Sequence, residues 1–138
     1  MAILEWSSRL QLDVPDMDAA HKRLIEMMGK LARLSESKAS RAEVLGTFQA
    51  LADATKKHFS EEEKYMESIA YAEIAQHRMI HVRLLEQLDH HLGRFKASTT
   101  SVIEPAVFDF LKVWLQAHIA GIDQGYADHA HRRAAAAR

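Results

Sequence analysis

The sequence predicts an all-α protein, an antiparallel up-down-up-down four-helix bundle with an N-terminal arm. Three observations carry that expectation. Apolar residues recur at spacings of three and four in four separate stretches, the pattern of a helix with one buried face. Only two prolines and five glycines interrupt the 138 residues. The stretches are joined by short polar segments, which in a helical chain favour antiparallel neighbours.

Residues 1–17 are less regular and contain Trp6, and they are expected to lie as an arm against the bundle. The first helical stretch follows Pro15 and the start signals Asp16 and Asp18. Its apolar seam reads His21, Leu24, Ile25, Met28, Leu31 and Leu34, and the polar run from Ser35 to Ser40 breaks it. A second seam runs Val44, Phe48, Leu51, Thr55, His58, Glu62 and Met66. A third runs Ile74, His77, His81, Leu84, Leu88 and Phe95, with Gly93 and residues 97–101 marking its end. The fourth opens near Pro105, a residue suited to a first helical turn, and reads Phe108, Leu111, Leu115, His118 and Ile122. Residues 18–129 are thus expected as the bundle and the Ala- and Arg-rich residues 130–138 as a flexible tail. No internal repeat or linker appears, so residues 1–138 read as one domain.

Composition narrows the function. Hydrophobic residues make up 48%, enough for one core, and Lys plus Arg (18) nearly balance Asp plus Glu (19). That balance gives no electrostatic footprint for nucleic acid or an anionic membrane. Cysteine is absent, which excludes disulfides, thiolate catalysis and Cys-based metal sites. Glu5 and Arg9 interrupt the first ten residues, so no signal peptide is expected there. No stretch reaches the roughly 20 apolar residues of a membrane span, and a cytoplasmic protein is expected.

The nine histidines are the unusual feature. Each seam carries at least one, where a bundle normally places Leu or Ile. A single buried histidine is commonly satisfied by a backbone carbonyl; one in every seam points to a shared partner, because imidazole is costly to bury alone. Depth agrees. His21 lies near the start of its helix, His58 near the end of the second, His77 and His81 near the start of the third, and His118 towards the end of the fourth. In an antiparallel bundle these places fall in one layer.

Spacing within helices points the same way. His58 and Glu62, like His77 and His81, are i, i+4 pairs, about 40° apart around a helix. Glu61 and Glu63 fall outside that face and read as solvated. His118 and Asp123 are five apart, roughly 140° on a regular helix. Asp123 therefore reaches the same centre only if the helix loosens or ends there, which Gly121 and Gly125 allow. His90, His91, His129 and His131 lie off the seams and are expected at the surface.

These stretches resemble the hemerythrins, and specifically the single-domain bacterial members. The resemblance rests on Asp18-Ala-Ala-His21-Lys-Arg-Leu24, His58-Phe59-Ser-Glu-Glu62-Glu-Lys-Tyr-Met66, His77-Arg-Met-Ile-His81 and the run from Phe110 through Trp114, Leu115, His118 and Asp123 to Tyr126. One departure is Ala20, where a longer polar residue is common. The resemblance implies two iron ions, one on His77, His81 and His118 and the other on His21 and His58, bridged by Glu62, Asp123 and an oxo or hydroxo group, without haem. It leaves one coordination position open, on the iron with two histidines. The implied activity is reversible dioxygen binding for storage, delivery or buffering, not enzymatic turnover. Leu24, Phe59, Trp114 and Leu115 resemble the family's oxygen-pocket residues, and Tyr126 stands where it can hydrogen-bond a bridging carboxylate.

Other functions fit less well. A ferritin-like di-iron oxidase uses Glu-x-x-His pairs, and this chain has none. A regulatory module sensing oxygen, redox state or iron would share the fold and site. Zinc or manganese could occupy the same imidazoles. The expected partners are dioxygen and, for delivery, an oxygen-consuming enzyme, with neither nucleic acid nor membrane, and the expected state is a monomer.

Overall fold

A computed structural model describes residues 5–137, and its helices coincide with the four predicted stretches. α1 spans Pro15–Glu36, α2 Arg41–Ser68 and α3 Ile74–Ala97. The fourth rod is α4, Pro105–Ala117, continued through a π-helical turn, His118–Asp123, into α5, Gln124–Ala136. There is no β-strand among the described residues. The four rods form the antiparallel up-down-up-down bundle that the periodicity predicts.

Local chemistry sets the boundaries. Pro15 begins α1 and Pro105 begins α4, where a missing N–H costs nothing. The Ser40 hydroxyl accepts a hydrogen bond from the Glu43 N–H and caps α2. α1 and α2 both end in a left-handed residue, Lys38 (φ 59°) and Ala70 (φ 52°). After each, a backbone N–H reaches back over the last turn, Ala39 to the Leu34 carbonyl (3.0 Å) and Tyr71 to the Met66 carbonyl (3.0 Å). The Arg41 guanidinium donates to the carbonyls of Phe95, Lys96 and Thr100, satisfying the C-terminal end of α3.

The core runs the length of the bundle through Met28, Leu31, Val44, Phe48, Leu51, Met66, Leu88 and Leu111. The arm packs on it, as expected. Leu10, Leu12 and Val14 are buried, the Leu12 N–H donates to Asp18 Oδ1 (2.8 Å), and Lys22 Nζ sits 5.0 Å from the centre of the Trp6 ring. Residues 1–4 of the expected arm and residue 138 of the expected tail lie outside the described residues.

Three expectations need revision. Ile122, assigned to the fourth seam, is 36% exposed, and Ile119 is fully buried instead. The π turn inserts an extra residue into the helix, so the inward face passes from His118 to Asp123 and leaves Ile122 outside. Residues 130–136, expected as a flexible tail, are the end of α5. Within it, His131 Nε2–H donates to the Asp13 carbonyl (3.1 Å). His90 and His131 are exposed, but His91 and His129 are half-buried, His91 beside Phe110 and His129 donating to the Ile69 carbonyl (2.8 Å).

Candidate metal centre

Each of the seven residues predicted to converge does so, in one buried layer near one end of the bundle. α1 supplies His21, α2 supplies His58 and Glu62, α3 supplies His77 and His81, and the π turn supplies His118 and Asp123. All are buried, Glu62 and Asp123 completely. Their donor atoms fall into two overlapping groups, one of Glu62, His77, His81, His118 and Asp123, the other of His21, His58 and Glu62. Within each group the donors lie within 4.8 Å of one another.

The two carboxylates divide their oxygens between the histidine groups. Glu62 turns Oε2 to His21 Nε2 (3.2 Å) and His58 Nε2 (3.3 Å), and Oε1 to His81 Nε2 (3.1 Å). Asp123 turns Oδ2 to His21 Nε2 (3.2 Å), and Oδ1 to His77 Nε2 (3.0 Å) and His118 Nε2 (3.0 Å). Asp123 manages this five residues from His118 because one turn of a π-helix joins i to i+5.

The donor set fits metal better than internal hydrogen bonding. His118 Nε2 stands 3.3 Å from His77 Nε2 and 3.2 Å from His81 Nε2, a crowding of basic nitrogens that protons alone resolve poorly. Donors at right angles around an ion at about 2.1 Å are about 3 Å apart, close to these separations. Glu62 Oε1, both Asp123 oxygens and His58 Nε2 are buried without an aligned hydrogen-bond partner. Buried polar atoms left unpaired by the protein are available to coordinate an ion. Imidazole with carboxylate suits iron, among other transition metals.

Electrostatics match. Burial pushes the Glu62 carboxyl up, but His58, His21 and His81 outweigh it and hold the group well below its ordinary value. Burial and the Glu62 charge raise Asp123, and His118 and His21 more than compensate. Burial lowers the His21 imidazolium, yet Asp123 and Glu62 carry it to about 9. Two carboxylates kept ionised in a dry core are a standing demand for cations.

The surroundings of the cluster are mostly apolar and aromatic. Phe59 stacks on His81 with ring centres 3.8 Å apart, and Trp114 meets Phe59 edge-on at 5.9 Å. Leu24 and Leu115 are buried, and Leu24 lines a cavity of about 50 Å³ beside His58, together with Ala20, Arg23 and Lys57. The Tyr126 hydroxyl donates to Glu62 Oε2 (2.7 Å). Burial and the two carboxylates raise its pKa, so it remains a donor.

Sequence reasoning missed two neighbours. Ile119, next to His118, is fully buried where Ile122 was expected. Glu63, set aside as solvated, accepts a hydrogen bond from His81 Nδ1 (3.0 Å). Its own helix gives no hint of this. The signal would have been its position one residue after a centre-facing carboxylate, beside the histidine-bearing α3.

A helical bundle enclosing five imidazoles and two shared carboxylates defines a non-haem, carboxylate-bridged metal protein. Comparison with known proteins makes this specific. Residues 12–130 match the family model described as the hemerythrin HHE cation binding domain, and the chain belongs to the hemerythrin family. It is 33% identical over 128 residues to a bacteriohemerythrin of Stenotrophomonas maltophilia (strain R551-3), covering 93% of this chain and 82% of that one. It is 27% identical over 124 residues to a myohemerythrin of Riftia pachyptila, covering 88% of each. A solved crystal structure of a leucine-to-phenylalanine mutant superposes with a TM-score of 0.83 at 26% identity, covering 93% of this chain and 97% of the other. Membership brings a di-iron centre as cofactor and oxygen binding as function.

Proposed function

We propose that this chain binds dioxygen reversibly, with His77, His81 and His118 holding one iron, His21 and His58 the other, and Glu62 and Asp123 bridging the two. The observation that carries the assignment is the division of carboxylate oxygens. Each acid turns one oxygen to the three-histidine group and the other to the two-histidine group. When bound, the pair of irons would supply redox-active metal able to take a small ligand.

The chain's own residues do the rest. The bundle draws the imidazoles from four helical segments into one buried cluster, with donor atoms within 4.8 Å of one another in each group. Leu24, Phe59, Trp114 and Leu115 exclude water from the neighbourhood of the histidines. Exclusion matters because a dry, apolar neighbourhood keeps protons away from a bound small ligand. Tyr126 donates to Glu62 Oε2 and fixes the orientation of that carboxylate.

The relatives favour oxygen binding over a signalling module. The reading extends to one domain over residues 1–138, acting as a monomer without enzymatic turnover, in the cytoplasm, and passing oxygen to an oxygen-consuming enzyme. A formal charge of −1 supports the expectation of no nucleic-acid partner. No helix among the described residues is long and apolar enough to cross a membrane.

The deciding experiment is a visible spectrum of iron-reconstituted protein in air, repeated after deoxygenation and readmission of oxygen. Two irons per chain and bands that bleach and return support the proposal. A reconstituted chain with fewer than two irons, or bands that never bleach, overturns it.

A further inference from the structure

One carboxylate next to the centre has no part in holding the ions. Glu63, on α2, is partly buried, and its Oε2 lies 3.0 Å from His81 Nδ1. Glu63 Oε1 in turn lies 3.3 Å from Arg78 Nε, and the Arg78 guanidinium also donates to Glu67. Glu67, Arg78, Glu63 and His81 therefore form a polar chain from the surface to the centre, crossing between α2 and α3. His81 is also the imidazole that Phe59 stacks against, with ring planes 5° apart.

Three of the other four histidines differ. Nδ1 of His21, His58 and His118 is buried with no hydrogen-bond partner. A carboxylate at Nδ1 selects the Nδ1–H tautomer, which leaves the Nε2 lone pair free to face an ion. It also increases the basicity of that nitrogen, because positive charge gathering on the ring is met at once by a negative partner. Arg78 keeps Glu63 in the geometry that does this.

Resting on the di-iron reading, we propose that Glu63, oriented by Arg78, is a positioning residue for the three-histidine iron. It fixes the tautomer and tilt of His81 and strengthens its hold, and it does nothing comparable for the two-histidine iron. The two ions are thereby made unequal by a group that touches neither.

The test compares the wild-type chain with Glu63→Gln, Arg78→Gln and, as a surface control, Glu61→Gln. Iron-loaded proteins are challenged with a ferrous chelator, and the His81 ring is read by 15N-resolved NMR in metal-free and zinc-loaded protein. Glu63→Gln should release one of its two irons about tenfold faster than wild type, a typical effect of losing such a partner. Arg78→Gln should accelerate the same phase less, and Glu61→Gln should match wild type. The His81 Nδ1 proton should be present and strongly hydrogen-bonded in wild type and shifted in Glu63→Gln.

Wild-type release rates and an unmoved His81 signal in both Glu63→Gln and Arg78→Gln would overturn the inference while leaving the di-iron reading intact. A wild-type chain that never takes up two irons defeats that reading instead, and the metal-free NMR arm still decides the Glu63 contact. Should Glu63→Gln fail to fold, Arg78→Gln decides by the same two measurements, since Arg78 is substantially exposed.

Discussion

His118 Nε2 and Asp123 Oδ1 lie 3.0 Å apart although five residues separate them, because the helix between them is wound as a π turn. On a regular helix these side chains would diverge by roughly 140°. The π turn brings the acid inward and puts the extra residue, Ile122, outside. π turns are rare and concentrate at functional sites. Here the departure from α geometry has a clear purpose, since Asp123 is the only acid among the described residues that meets His21 on one side and His77 and His118 on the other.

Replacing Asp123 should therefore affect both ions. Asp123→Ala is expected to bring iron content well below two per chain, with no preference for either position. His58→Ala and His118→Ala should also lower iron sharply, whereas His90→Ala, at an exposed position, should leave it unchanged. Metal analysis after reconstitution checks this, and iron loss in His90→Ala would show that the centre has been misassigned.

How much of this was legible in the sequence follows from which interactions have a period. His21, His58, His77, His81 and Glu62 stand at helical spacing on seams, and antiparallel packing brings those seams together. The π turn has no such signature. Gly121 and Gly125 hinted at loosened helix, but a seam extended at a period of 3.6 chose Ile122 over Ile119. Glu63 was hidden for a different reason. Its value comes from His81 and Arg78 on another helix, and its own neighbours, Glu61 and Lys64, make the segment look like a solvated face. The helical continuation past Ala130 gave no signal in the seams, and its contact, Asp13, lies in the arm at the other end of the chain.

Metal uptake should release a proton from His21 at any pH well below 9. Burial disfavours charge on His21, but Asp123 and Glu62 hold its pKa at about 9 in the metal-free chain. The folded value lies above the unfolded value of about 6.5. This pairing thus stabilises the metal-free fold fully below about pH 6.5 and is lost as pH rises through 9. An incoming ion must displace that proton, so apparent affinity rises with pH until His21 deprotonates unaided. Ferrous-iron titrations in weakly buffered anaerobic solution should show the His21 contribution at pH 7.5 and its disappearance above pH 9. A proton count that is flat from pH 6 to 10 would contradict this.

Tyr126→Phe isolates the hydrogen bond to Glu62. Loss of a buried bond to a charged acceptor is expected to cost about 2 kcal/mol. Denaturant unfolding of the metal-free chain measures it. The iron-loaded variant should keep two ions but show shifted absorption bands, because Glu62 Oε2 no longer accepts the hydrogen bond from the phenol. An unchanged spectrum would mean that Tyr126 packs without tuning the centre.

Ala70→Gly should stabilise the protein without touching its chemistry. Ala70 is exposed and holds φ at 52° to close α2 over Tyr71. An L side chain pays about 1–2 kcal/mol for that conformation, and glycine is free of it. The greater freedom of glycine in the unfolded chain takes back about 0.4–1 kcal/mol. A net gain of about 0.5–1 kcal/mol is expected in the unfolding midpoint, at constant slope and with iron content unchanged.

Phe59 tests whether the pocket keeps oxygen binding reversible or only fills space. Phe59→Ala should cost about 3–5 kcal/mol, as buried aromatic truncations do. So should Phe48→Ala, because Phe48 is fully buried against Phe95 elsewhere in the core. The two variants part at the centre. Phe59 stacks on His81 and lies close to His58, His118 and Trp114, so its removal admits water beside the proposed irons. The oxygenated spectrum of Phe59→Ala should decay in air faster than wild type, and that of Phe48→Ala at the wild-type rate once both are compared well below their unfolding temperatures. Equal decay in the two variants would reduce Phe59 to ordinary core packing. Selective decay in Phe59→Ala would tie reversibility to exclusion of water by that one ring.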